Sequence, residues 1–189
     1  FHSSFNNFIK ALFTSNQKYN SERIILIYSR LPRTIIATLT GISLSISGLI
    51  YQEVFQNKLT SPNLLGVSNG AAVGAASAII LTLHPSLVVL FSFIMGLFTV
   101  FLTITITKIF RITNTTILIL AGIIMSSFMG SILAILKYWT NDDSTLASIT
   151  YWLMGSFSNT KLTNLYFFIP IIVICLIPII LLRWKINMF

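Results

Sequence analysis

The sequence predicts an all-α protein, a polytopic bundle of transmembrane helices, and three observations carry that prediction. Hydrophobic residues make up 55% of the 189 positions and charged residues only 8%, too little polar surface for a soluble domain of this size. The uncharged runs are of membrane length, since a hydrocarbon core of about 30 Å needs about 20 apolar residues per helix. Small residues recur every fourth position, the spacing that lets helix backbones approach one another in lipid.

The elements follow in order. Residues 1–29 read as an amphipathic, interfacial segment, which the resemblance given below places on the extracellular side: Phe5, Phe8, Ile9, Leu12 and Phe13 recur at helical spacing opposite Asn6, Asn7 and Lys10. Ile24 to Ile27 then lead into Arg30 and Arg33. Residues 30–189 read as a partial transmembrane domain of about five spans, at about 34–53, 63–83, 86–107, 114–137 and 162–182. The stretch from Leu59 to Thr107 lacks Asp, Glu, Lys and Arg and is long enough for two of these. His84-Pro85 divides it, because Pro lacks an amide donor and disfavours helix at the preceding residue. Between the fourth and fifth spans, Asn141-Asp142-Asp143-Ser144 can cap a short helix running to Trp152 and ending at Gly155. The chain begins at Phe1 and ends on Arg183-Trp184-Lys185 just past a membrane exit, and it reads as a fragment of a larger membrane domain without a signal peptide.

The formal charge of +8 does not indicate nucleic acid, because Lys and Arg are scattered at helix ends rather than clustered with aromatic platforms. They fit headgroup contacts and topology signals. Orientation stays open on charge alone: Lys10, Lys18, Arg23, Arg30, Arg33, Lys137 and Lys161 fall on one face, and Lys58, Lys108, Arg111, Arg183 and Lys185 on the other. Cys175 stands alone, so no disulfide can form within the segment.

The acids are few. Glu22, Asp142 and Asp143 lie outside the spans and Glu53 at the end of the first, so no carboxylate sits at a bilayer midplane, where proton-coupled carriers keep one. His2 and His84 make no metal-ligand pair, no nucleophile and base are matched, and no phosphate loop is present. The expectation is therefore a protein that is not an enzyme, holds no metal or cofactor, and takes any energy for uphill movement from a partner.

Gly66, Gly70 and Gly74 form one ladder, Gly122, Ser126 and Gly130 another, with Gly41/Ser45 and Ser43/Ser47 in the first span. Close packing is the preferred reading of all of them. Ser126, Ser127, Gly130 and Ser131 also make a small, weakly polar stripe.

Arg30-Leu31-Pro32-Arg33, Gly41, Ser47-Gly48, Gln52, Asn57, Ser61-Pro62, Leu65 to Ala71 and Tyr151 to Ser156 occur in an order that resembles the permease subunits of ABC importers for iron-siderophore complexes, haem and cobalamin, the FecCD family. The likeness runs from Arg30 to about Ser158, and the next span and its exit also fit. Two positions depart from the pattern: Lys58 stands where the family usually has Pro, and Glu53 where a small residue is common.

The resemblance implies a segment covering the second to sixth of about ten helices, ending before the element that grips the ATPase. It implies an ATP-binding cassette ATPase dimer as partner, a solute-binding protein outside, and a second permease copy or paralogue, in the cytoplasmic membrane of a bacterium. ATP would be used by the partner ATPase, and no cofactor would be bound here. It turns the Arg30/Arg33 end outward and makes both arginines docking groups for carboxylates of the binding protein, a chemistry suited to the guanidinium fork; headgroup contact is the competing reading. Pro32, Gly41, Gly48, Gln52, Asn57, Pro62, Gly66, Gly70 and Gly74 would be structural. Trp152 and Gly155 would border an external gate, although an interfacial aromatic anchor explains Trp152 equally. Ser126, Ser127, Gly130 and Ser131 would line the translocation path. Ferric siderophore is the expected cargo, with haem or cobalamin next; a secondary transporter or channel, or a membrane-embedded enzyme, are the competing classes.

Overall fold

The computed structural model describes residues 24–58, 60–109, 115–140, 142–158, 160 and 162–186. The segment with Phe5 to Phe13 lies outside them. Among the described residues the ordered elements are helical, with no strand. They are a π-helical turn Leu26–Arg30, α1 Leu31–Phe55, a 3₁₀ turn Pro62–Leu65, α2 Val67–Ile80, α3 Pro85–Ile109, α4 Thr115–Trp139, α5 Asp143–Met154 and α6 Leu162–Ile186. Three of the described helices are long and apolar enough to cross a membrane, Ile27–Phe55, Pro85–Ile109 and Thr116–Trp139. The chain is an integral membrane protein. It divides into two compact units, residues 1–46 with 156–188 and residues 47–155, and α1 runs through the boundary.

In the second unit α2 packs against α3, α4 and α5, and the 3₁₀ turn lies on α4. Its burial pattern is the reverse of a soluble core. Gly70, Ala72, Gly74, Ala75, Ala76 and Ala78 of α2 are buried, while Phe93 and Phe101 of α3 stay more than half exposed. Large apolar side chains facing outward and small ones inward are what lipid-solvated helices require, because close backbone approach supplies the packing energy. Val73, Met125 and Met129 form one apolar cluster, against which Met95, Leu102 and Leu133 pack.

Along α3, Val88, Ser92, Gly96, Thr99, Thr103 and Thr107 are buried on one stripe. The threonine hydroxyls are bonded: Thr99 donates to Met95 O at 2.8 Å and Thr107 to Thr103 O at 3.0 Å. Thr103 is shared between Thr99 O at 2.9 Å and Leu65 O at 3.3 Å, which ties α3 to the 3₁₀ turn. A threonine whose hydroxyl is satisfied by a carbonyl of its own helix leaves no unpaired polar group at the interface, which makes it a compact packing residue in lipid.

The stretch expected as a continuous span at 63–83 is not one helix. Gly66, at φ 77°, separates the 3₁₀ turn from α2. The left-handed backbone there is open to Gly without steric cost, so Gly66 caps α2, and it is a close contact as well, since a Cβ there would lie 3.1 Å from Ser126 N and 3.2 Å from Thr99 Cγ2. Helix α2 ends in a Schellman motif, with Leu83 N donating to Ala78 O at 3.1 Å and Thr82 N to Ile79 O at 2.9 Å. The left-handed residue is Thr82 at φ 52°, a β-branched side chain in a conformation that suits Gly. Helix α1 closes the same way at Gln56, φ 49°. Pro85 starts α3 after His84, and Pro170 and Pro178 lie inside α6.

Candidate functional site

Three separate groups of residues are candidates for function, each within one unit. The first is the N-terminal end of α1. Arg30 closes the π-helical turn, and Pro32, almost fully buried, occupies the first turn of α1, where its missing amide donor leaves no bond unmade. Both Arg30 and Arg33 are exposed. Their situations differ. Arg33 Nε donates to Phe157 O at 3.2 Å and its Nη2 to Ser158 O at 2.9 Å. Among the described residues no hydrogen bond or ion pair holds the Arg30 guanidinium. The receiving loop has its own order: Ser156 Oγ pairs with Ser158 Oγ at 2.6 Å, and Thr160 Oγ1 donates to Phe157 O at 2.6 Å.

The second group is α5. Asp142 is its N-cap, accepting from the backbone of Ser144 at 3.3 Å, from the Ser144 hydroxyl, and from Thr145 Oγ1 at 3.0 Å. The hydroxyl of Ser144, then that of Thr145 and the Ser144 amide, hold the Asp142 carboxyl below the usual carboxylate range. Ile149 is buried in α5, which lies on α2. Trp152 is 37% exposed and Tyr151 73%. Gly155, at φ 70° and ψ 149°, ends the helix in a conformation reserved for glycine.

The third group is the wall made by α2, α3 and α4 with the turn that precedes them. Gln52 Nε2 donates to Lys58 O at 3.2 Å, Asn57 N to Gln52 O at 3.1 Å, and Thr60 Oγ1 to Asn57 O at 2.8 Å, so Gln52 and Asn57 shape this turn. Pro62 opens the 3₁₀ turn. Asn69 Nδ2 donates to Ser126 O at 2.9 Å and to Ser126 Oγ at 2.8 Å, a cross-link between α2 and α4. The expected stripe on α4 divides. Ser126 and Gly130 turn toward Asn69, whereas Ser127 and Ser131 are exposed and spend their hydroxyls on the carbonyls one turn back, at 3.0 Å each. The reason is angular: residues 126 and 130 share a face, and 127 and 131 lie about 100° round the helix.

The glycines sort equally sharply. A Cβ on Gly70 would lie 2.7 Å from Thr99 Cβ, one on Gly74 2.8 Å from Met95 Cβ, and one on Gly122 3.0 Å from the Leu64 carbonyl carbon. At Gly41 and Gly48 a Cβ would meet nothing within 4 Å among the described residues. The Thr99/Thr103 stripe and Asn69 were not singled out as site-building residues from the sequence. The signal was there: Ser92, Gly96, Thr99, Thr103 and Thr107 repeat at three- and four-residue steps.

The comparisons with known proteins bear on this arrangement. The profile of the FecCD transport family matches residues 1–189. The chain belongs to that family. An iron chelatin transport system permease protein of Helicobacter pylori is 32% identical over 183 residues, 95% of this chain and 54% of the relative. The molybdate import system permease protein MolB of Haemophilus influenzae is 32% identical over 164 residues, 87% of this chain and 49% of the relative. A solved structure, described as an inward-facing conformation of a metal-chelate type ABC transporter, superposes with a TM-score of 0.82 at 27% identity, covering 96% of this chain and 60% of that one. The FecCD chain described here thus spans about half the length of the relatives it matches.

Proposed function

We propose that this chain is part of the transmembrane permease subunit of an ATP-driven importer for metal chelates, with a ferric siderophore as cargo. The observation that carries the proposal is the family match over all 189 residues, joined to relatives whose names are those of import permeases. The named substrates of those relatives, an iron chelate and molybdate, keep the cargo class at metal-containing solutes. In this reading the subunit sits in a bacterial cytoplasmic membrane and pairs with a second permease copy or paralogue. An ATP-binding cassette ATPase dimer would hydrolyse ATP on the inner side, and a solute-binding protein would deliver cargo to the end of α1 that carries Arg30 and Arg33. The subunit would bind no resident cofactor.

A path for a bulky chelate should hold it weakly, since conduction fails when the cargo is bound tightly. The internally satisfied hydroxyls of Ser127 and Ser131 suit such a lining, and Trp152 with Gly155 would border the entrance. The test is uptake of labelled ferric siderophore, haem, cobalamin and molybdate by cells carrying the complete gene, with wild-type and ATPase-dead partner subunits. Uptake of one cargo that stops with the ATPase defect is the expected result. Uptake that persists without ATP hydrolysis would replace the importer with a secondary carrier or channel.

A further inference from the structure

The two arginines at the start of α1 do not share one role. We propose that Arg33 is a positioning residue that fixes the loop at Ser156 to Ser158, and that Arg30 alone of the pair is left without a partner among the described residues; the assignment of Arg30 to a partner's carboxylate rests on the importer reading above. The geometry is that of a latch. Nε and Nη2 lie on one edge of the guanidinium plane, and that edge meets two consecutive carbonyls, of Phe157 and Ser158, at 3.2 and 2.9 Å. The loop gathers those carbonyls by its own bonds: Ser158 N donates to Ser156 Oγ at 3.0 Å, and the amide and hydroxyl of Thr160 both donate to Phe157 O. Directly before this loop stands Gly155, with backbone torsions that only glycine adopts easily. The latch therefore directly follows the left-handed glycine that ends α5. With its donors engaged, the Arg33 guanidinium is committed to the two carbonyls.

Lysine distinguishes a latch from a docking charge. It keeps the positive charge but has a single ammonium where two carbonyls need a planar fork. The experiment is hydrogen exchange by mass spectrometry on the complete protein in lipid nanodiscs, following peptides that cover Gly155 to Thr160. Arg33→Gln should speed exchange there about tenfold and Arg33→Lys about threefold, because bonds from a charged donor are lost or halved. Arg30→Gln should leave the loop unchanged. Unaltered exchange in Arg33→Gln, or equal acceleration in Arg30→Gln, would overturn the proposal.

A second readout is ATP-driven uptake titrated with the binding protein. Arg30→Gln should raise the half-saturating concentration about fivefold, as loss of one exposed steering charge does. Arg33→Lys should lower the maximal rate with half-saturation unmoved. If Arg33→Gln raises half-saturation as Arg30→Gln does and Arg33→Lys restores it, Arg33 is a docking charge and the division of roles is wrong. If half-saturation ignores both arginines while the loop still responds to Arg33, the latch stands and the docking reading of Arg30 fails.

Discussion

Replacing Gly70 by Ala adds one methyl group at a close approach between α2 and α3. That methyl would lie 2.7 Å from Thr99 Cβ, would overlap Thr99 Oγ1, and would stand 3.0 Å from Met95 O. Thr99 cannot rotate away freely, because it is fully buried and its hydroxyl is bonded to Met95 O. The helices must therefore separate by roughly 1 Å, and overpacking of this kind costs about 1–3 kcal/mol. Ala gains about 1 kcal/mol over Gly in helix propensity, so the net loss is about 0–2 kcal/mol. Gly130→Ala is the matched control: its Cβ would meet only Asn69 Nδ2, at an ordinary 3.8 Å. It keeps the propensity gain, which places the two variants about 1–3 kcal/mol apart. Thermal unfolding in detergent, followed by intrinsic tryptophan fluorescence, reads the difference. Thr99→Gly added to Gly70→Ala should recover part of the loss by removing the obstructing side chain. Equal stability of the Gly70 and Gly130 variants would refute the argument from close approach.

Asn69→Ala removes both donors to Ser126 and should cost about 1–2 kcal/mol, measurable in the same unfolding assay, with Asn69→Asp failing to rescue because a carboxylate cannot donate. Thr82→Gly should stabilise by about 1 kcal/mol, since it relieves a β-branched residue of its left-handed conformation; a lower melting temperature would contradict that. Asp142 has a folded pKa below its unfolded one, so its contribution is present above the ordinary carboxylate pKa of about 3.9 and is lost as pH falls through the depressed folded value. Exchange of the α5 amides should accordingly accelerate between neutral pH and strong acid, after correction for the intrinsic rate, and Asp142→Ala should be faster at neutral pH and lose that dependence.

Much of the local structure was legible one residue at a time. Asp142 and Gly155 announce both ends of α5 because a short carboxylate accepts from free amides and Gly tolerates the exit torsions. His84-Pro85 announces the break before α3 because a missing amide acts locally. The break at Gly66 was not legible, because a Gly in an apolar run reads equally as a rung of a ladder or as a cap. Nor could the sequence rank its glycines: Gly70 and Gly41 stand in similar runs, yet a Cβ on one collides with Thr99 and on the other meets open space.

By itself, then, the sequence determined that this is a membrane-embedded helical protein and a member of its transport family, because composition, hydrophobic length and motif order are properties of the chain as a string. Only the tertiary structure decided which small residues are contacts, that Asn69 is spent on Ser126, and that Arg33 is bound to the loop while, among the described residues, none holds the Arg30 guanidinium. Those facts depend on which groups far apart in the chain come within about 3 Å of each other, a distance at which hydrogen bonds form and methyl groups no longer fit.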